Sequence, residues 1–378
     1  MLIIGGGVAG ATTALALEKA GHRDITLVEK FVSIPRESHF VNIRPAVVKK
    51  AKEQLGIDLE PLHGAGSRPD GAALSVKRNL VAAAFGTALE HTQVRWGVQF
   101  HRLADGEVRL KDVHSGIITS PEFDVVVFAD GIGSKGRRFL TGRNDFVSYN
   151  GFVMCQGTGD RQHDDPEHTS LSQKGGVLIR KPDLATGRWA FSFKFKLPAH
   201  GHADAFGSGK LAAYLPFDSL HSKSLAWIHE NADKLLSPID ARLVRSSTDL
   251  SVVSALDSPP ADQMVYSLRP RLAVLVGDAY WSPLPTSASG ANSAISHGID
   301  LGESIPLSND PDELLRGALR HEDHWAKQGT SAVRLGRSVA EDIFRPGRDF
   351  ARKNGLSYNK EWGFTTPPDF SLDASRGL

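Results

Sequence analysis

The chain opens on an apolar run, a cluster of glycines and then a second, helical rhythm of apolar positions. Leu2-Ile3-Ile4 is hydrophobic at consecutive positions, as a strand covered on both faces must be, and it feeds Gly5-Gly6-Gly7-Val8-Ala9-Gly10. Ala11 to Ala20, with Leu15 and Leu17 among its apolar positions, predicts a helix, and Ile25 to Glu29 predicts the next strand. After Pro45, the spacing of Val47, Val48, Ala51 and Leu55 predicts an amphipathic helix, with a loop from Gly64 to Gly71. A further helix is expected to open at Ser75 and run through Leu89, followed by strands at Val94–Phe100 and Val108–Val113. Glu122 to Phe128 reads as a largely apolar strand ending in Ala129-Asp130-Gly131.

The pattern changes character between Val147 and Lys196. Trp189, Phe191, Phe193 and Phe195 alternate with Ala190, Ser192, Lys194 and Lys196, which predicts an antiparallel strand with one aromatic face. Its partner is expected at Gly176–Lys181, across a turn at Asp183–Gly187. The aromatic face is read as core, with the floor of an apolar cavity as the alternative. Helices are expected at Ser224–Leu236, Pro311–Arg320 and Ser331–Phe344, a strand at Leu272–Val276, and a polar tail beyond Pro346.

At 378 residues and 40% hydrophobic, the chain can bury a sizeable core in one large or two interleaved domains. Basic and acidic residues nearly balance, 44 against 43, so nothing points to a nucleic-acid partner. No segment approaches the roughly 20 apolar residues of a membrane span. The first strand begins at Met1, which leaves no room for a signal segment and makes a cytoplasmic address the default expectation. A single cysteine, Cys155, excludes disulfide frameworks and dithiol redox chemistry.

Two strand-to-helix cradles carry the chemistry. In the first, Gly5 permits the tight turn, Gly7 lets the backbone approach a pyrophosphate, Ala9 lies in the same loop, and Gly10 lets the helix pack close to its strand. The helix turns its free N–H groups and positive dipole end toward phosphates, and Glu29 stands where an acidic side chain accepts from ribose hydroxyls. In the second, Leu272 to Val276 leads into Gly277-Asp278 and then Pro285-Thr286-Ser287-Ala288-Ser289-Gly290-Ala291-Asn292. A helix beginning near Ala291 would present its positive end to a reduced flavin, worth about 0.3–1 kcal/mol at a surface and up to about 2 when partly buried. A plain NAD dehydrogenase needs only the first cradle, whereas FAD, gripped at both ends, accounts for both.

Those residues resemble the group A flavoprotein monooxygenases, the fold family of para-hydroxybenzoate hydroxylase, from Leu2 to about Phe344. Three motifs occur in the family's order: Gly5-x-Gly7-x-x-Gly10 with Glu29, then Asp130-Gly131, then Gly277-Asp278-Ala279 with Pro285 and Gly290-Ala291-Asn292. The resemblance implies an α/β fold. Its FAD-binding domain is assembled from residues 1–44, 72–144 and 266–304, with a mixed-sheet substrate domain at 145–265 and residues 45–71 packed nearby. C-terminal helices at 305–346 and a tail at 347–378 complete it. It also implies that Asp130 and Asp278 contact FAD, that Gly290-Ala291-Asn292 faces the pyrimidine ring, and that Arg78 touches the cofactor, with Arg36 a further candidate at the nucleotide end. NADPH or NADH would reduce the flavin, and oxygen would add as a flavin C4a-hydroperoxide that oxygenates a small organic substrate. The chain is expected to act as a monomer or homodimer.

Three departures refine that picture. Tyr280-Trp281 replace the usual residues after Gly-Asp-Ala, Ala288-Ser289-Gly290 stands for Gly-Gln-Gly, and Cys155-Gln156-Gly157 lacks an arginine common at that strand end. A neutral amide at Gln156 cannot supply charge-assisted pairing, so the expected substrate is neutral and largely apolar. Tyr149, Gln156, Trp189 and Trp281 are its candidate cavity residues. A same-fold halogenase lacks its Trp-x-Trp-x-Ile-Pro segment here, a geranylgeranyl-type reductase lacks its aromatic motif, and a dinucleotide-binding protein without oxygenase activity leaves Gly277-Asp278 unexplained. Gly207-Ser208-Gly209-Lys210 lacks the hydroxyl residue of a P-loop. The histidines at 163, 168, 200 and 202 are expected in exposed polar loops, His321 and His324 on a solvated helix face, and His297 as a packed helix residue, with no metal site.

Overall fold

The computed structural model describes residues 1–33, 40–64, 71–104, 106–160, 168–171, 176–206, 214–215, 220–268 and 271–344. The chain starts β1 (Leu2–Ile4), α1 (Val8–Lys19), β2 (Thr26–Glu29), β3 (Phe40–Ile43), α2 (Pro45–Leu55), β4 (Leu74–Lys77) and α3 (Arg78–Gly86). It continues β5 (Gln93–Trp96), β6 (Val98–Ala104), β7 (Glu107–Asp112), β8 (Ile118–Thr119), β9 (Val125–Phe128) and α4 (Lys135–Thr141). Next come β10 (Ser148–Gly159), β11 (His168–Leu171), β12 (Gly176–Pro182), β13 (Trp189–Lys196), α5 (Ala199–Phe206), β14 (Tyr214–Leu215), α6 (Ser222–Leu235), α7 (Pro238–Arg245) and β15 (Ser251–Asp257). Last are β16 (Val265–Leu268), β17 (Arg271–Leu275), α8 (Gly290–Ser304), α9 (Pro311–Leu319) and α10 (Glu322–Ile343).

Two six-stranded sheets organise these elements. The first runs β16-β17-β9-β1-β2-β5 and is parallel except for the edge strand β16. Its central strands are buried at nearly every position because helices cover both faces. The second runs β11-β12-β13-β10-β15-β14 and is antiparallel. The α/β fold class expected from the sequence, a Rossmann-type layer with a second sheet inserted between β9 and β16, is the architecture found, and the inserted sheet is antiparallel rather than mixed.

The first sheet brings the two cradles side by side, since only β9 separates β1 from β17. Their helices pack along each other through small residues. A Cβ on Gly302 would lie 2.3 Å from that of Ala16, and one on Gly277 would lie 2.7 Å from that of Ala9. Gly5, at φ +108°, turns so tightly that a Cβ would sit 2.4 Å from the Ala129 carbonyl oxygen, and a Cβ on Gly10 would strike the Gly5 carbonyl.

Three local expectations change. Ser75 to Lys77 is strand rather than helix, because Ser75 and Val76 pair with Asn42 and Val41 of β3, and the helix begins only at Arg78. Val94–Phe100 is two strands: Gly97, at φ +72°, turns the chain so that β5 joins the first sheet while β6 pairs with β7. The last helix starts at Glu322, not Ser331. The described part of residues 45–71 divides between the layers. Val48, Ala51 and Leu55 of α2 join the core of the first layer, while the Gly64 carbonyl accepts from Leu184 N of the second at 3.0 Å. The β12–β13 hairpin forms as expected, with Lys181 opposite Ala190. The tail beyond Pro346 lies outside the described residues.

Candidate functional site

Both cradles meet the same carboxyl edge of the first sheet. At the first, α1 starts after Gly7 with no side-chain cap, so no capping side chain spends its first N–H groups, and nothing lies within 4 Å of where a Gly7 Cβ would stand. The Glu29 carboxylate accepts from Gly6 N at 2.7 Å and Phe31 N at 3.0 Å, which holds it at the lip of the glycine loop. Arg36 lies outside the described residues. Asp130 caps α4: its carboxylate accepts from Ser134 Oγ at 2.5 Å, Lys135 N at 2.8 Å and Gly136 N at 3.2 Å. Burial pushes its pKa up, against the pull of those donors.

At the second cradle Asp278 is half-buried, and desolvation raises its pKa, opposed by the positive charge of Arg78 and a hydrogen bond from Ser282. The Gly277 amide donates to Nδ1 of His297 at 3.2 Å. That histidine is fully buried and stacked on Trp325 with ring centroids 4.0 Å apart, and desolvation drives its pKa down to about 3, so it stays neutral and can accept. A short turn, Pro285–Ser287, then leads to Ala288 at φ +51°, the one non-glycine residue at positive φ among those described. Strain of this kind persists where surrounding structure over-determines the backbone. Helix α8 follows at Gly290 without a side-chain cap, so its leading amides are unspent. The Asn292 side chain does not reach outward. It donates to the carbonyls of Asn42 and Ala288, both at 2.9 Å, and accepts from Arg44 N at 2.8 Å, which ties β3 to the start of α8.

A cavity of about 370 Å³ opens where this loop meets the second sheet. Arg78, Asp278, Pro285, Gly290 and Ala291 form its cofactor-side wall. Phe40, Val41, Met154, Ile179 and Leu256 give it an apolar lining, and Gln156, Lys181, Ser192 and Lys194 are its polar wall from the second sheet.

Of the four cavity candidates, Gln156 alone lines this space. Trp189 lies on the opposite face of β13, packed with Phe191, Phe193 and Phe195 against the helices α5 to α7. The aromatic face is therefore core, although Phe191 also borders the cavity, and the alternate positions Ala190, Ser192 and Lys194 line it. Trp281 is buried in the first core, edge-on to His297 at 5.4 Å, with α10 so near that a Cβ on Gly329 would touch its ring. Tyr149 donates to the Leu197 carbonyl at 2.6 Å and packs edge-on to His202. His202 is itself a correction, since it lies on α5, 1% exposed, with Nε2 2.8 Å from Ser254 Oγ. His321 stacks on Trp325 instead of standing in solvent. The Gly207–Lys210 segment and His163 lie outside the described residues. Sequence reasoning missed Lys194, whose signal was a cation on the polar phase of an otherwise aromatic, buried strand.

Among the described residues no helix is long and apolar enough to cross a membrane. A family described as FAD dependent oxidoreductase matches residues 1–44, the first cradle and its strands. An FAD-dependent monooxygenase of Aspergillus ustus, opaC, is 23% identical over 306 residues, 77% of this chain and 60% of that protein, so the chain spans less than two thirds of its relative. The 2,6-dihydroxypyridine-3-hydroxylase of Arthrobacter nicotinovorans superposes with a TM-score of 0.71 at 19% identity, covering 98% of both chains. HpxO of Klebsiella pneumoniae, complexed with FAD and uric acid, superposes with a TM-score of 0.67 at 20% identity, covering 92% of this chain and 89% of that one. With its paired cradles and inserted antiparallel sheet, the chain has the fold of the group A flavin monooxygenases.

Proposed function

We propose that this chain is an FAD-dependent monooxygenase that uses NADPH or NADH and dioxygen to insert one oxygen atom into a small organic molecule held in the cavity. The observation that carries the reading is the uncapped start of α8, whose amides border a chamber of about 370 Å³ that Asp278 also lines. A free α1 terminus on the same sheet edge supports a second grip on one extended dinucleotide.

In this reading the glycine loop and α1 amides would hold the pyrophosphate, Glu29 the ribose, and Asp278 with Arg78 the region nearer the ring system. Bound FAD would supply hydride acceptance and oxygen activation, chemistry that no side chain here offers. The chain's own work is positional. The amides of Gly290 and Ala291 favour negative charge at the ring edge, neutral His297 orients the Gly277 turn, and the apolar wall from Phe40 to Leu256 excludes water.

The finer reading, a neutral and largely apolar substrate inferred from the missing arginine at Gln156, fits the apolar wall but must share the cavity with Lys181 and Lys194. The purified protein is expected to carry the visible absorbance of FAD and to consume NADPH and oxygen together when a substrate is added. A colourless protein that takes up no FAD on titration would overturn the assignment.

A further inference from the structure

Lys194 is a cavity cation whose burial is hard to account for without a ligand. Its side chain comes from the middle of β13, is 8% exposed, and lines the chamber. Among the described residues it has no hydrogen-bonded or ion-pair partner, whereas other buried cations do: Arg180 pairs with Asp240 at 3.0 Å and Arg137 donates to Ser258, Tyr280 and Pro259. Two neutral polar groups stand beside it. Ser192 is two residues away on the same face, and Gln156 lies directly opposite Ser192 on β10. The Ser192 hydroxyl and the Gln156 Oε1 are both buried without a partner. Unpaired buried polar atoms cost stability unless something fills the gap. Two such atoms beside a cation with no partner among the described residues, all lining one chamber, describe an incomplete binding site.

We propose that Lys194, assisted by Ser192 and Gln156, binds an acidic oxygen of the substrate, a phenolate, enolate or carboxylate, and so sets the enzyme's preference for anionic over neutral compounds. This deepens the monooxygenase reading and rests on it. It also revises the substrate class, because the charge absent from β10 enters the cavity from the neighbouring strand. Burial, with the like charge of Lys181 second, pushes the Lys194 ammonium down to about 8, so it remains largely charged at neutral pH and is poised to gain from an anion. The other charged or titratable groups lining the chamber are Lys181 of β12, Tyr214 of β14, Arg78 of α3 and Asp278, with His202 behind Ser254. Because the Lys194 ammonium is pushed down to about 8, binding of a carboxylate should weaken as pH rises through about 8.

The test uses the FAD-loaded full chain and three probes that share one ring system: 2-naphthoate, 2-naphthol and 2-methoxynaphthalene. Binding is read from the perturbed flavin absorbance and, for 2-naphthol, from the ultraviolet band of its ionised form. The naphthoate or the naphthol is expected to bind about 10- to 100-fold tighter than the methoxy compound, the worth of a charge-assisted bond. Bound naphthol should show the ionised band. Lys194→Met should erase the preference, and Lys194→Arg should keep most of it. FAD content and thermal melting report folding of each variant. Equal or tighter binding of the methoxy compound, no binding by either acidic probe, or a preference that survives in K194M would each overturn the assignment. A chain that takes up no FAD would sink the monooxygenase reading itself, an outcome distinct from an FAD-replete chain indifferent to charge.

Discussion

Arg180 and Lys194 are buried cations on adjacent strands of one sheet, and the two faces of that sheet treat them differently. Arg180 points to the helix side, where Asp240 of α7 pairs with it and the Trp189 ring lies 5.7 Å away. Lys194 points to the cavity side and meets no anion among the described residues. The helix face is finished structure, with its charge neutralised by the protein. The cavity face is left open, and its cost is tolerated because function can use it. A charge's role is decided here by which side of the pleat carries it.

The contrast can be broken by mutation. Arg180→Met strands the buried Asp240 and should destabilise the fold by about 3–5 kcal/mol in urea denaturation; a loss under 1 kcal/mol would show that the pair is not structurally required. Lys194→Met should act in the opposite direction. A drop from 10.5 to about 8 corresponds to roughly 3 kcal/mol of strain in the free protein, which the methionine relieves. Because the folded pKa lies below the unfolded one, that penalty is complete below about pH 8 and fades as pH climbs to 10.5. The advantage of the methionine variant should fade over the same window, and a pH-independent difference would point to packing instead.

Two smaller effects sharpen the comparison at the cofactor wall and in the sheet's interior. Asp278→Asn should weaken FAD binding by about 10- to 100-fold in a fluorescence titration while leaving the melting temperature of the FAD-free protein near its original value. Unchanged FAD affinity would remove Asp278 from the binding wall. Cys155 sits in β10 facing the helix side, and burial pushes its thiol up. No reaction with a thiol reagent is expected in the native protein and full reaction in denaturant, and rapid native labelling would show that this face opens.

Legibility in the sequence followed range. The first cradle could be read because Gly5, Gly10, α1 and β2 form one local unit whose turn and close packing are decided within a few residues. The second could be read from Gly277-Asp278 and the helix start, although the non-glycine Ala288 hid the positive φ of its loop. Trp281 and Trp189 misled because an aromatic beside a motif or on a strand carries no label for the surface it will meet. Tertiary packing placed one against α10 and the other in the cluster covered by α5 to α7. Ser75 to Lys77 looked helical until β3, more than thirty residues earlier, supplied its partner.

By itself, then, the order of residues determined the α/β layer, the two phosphate-type turns and the alternation of β13, since each depends on backbone geometry and periods of two or 3.6 residues. Which phase of that alternation became core and which became cavity was settled only when the second sheet docked helices on one side and the α8 loop on the other. Lys194 became a candidate ligand for substrate through that docking alone, because burial, and with it the free energy of an unpaired charge, is a property of surroundings assembled from distant parts of the chain.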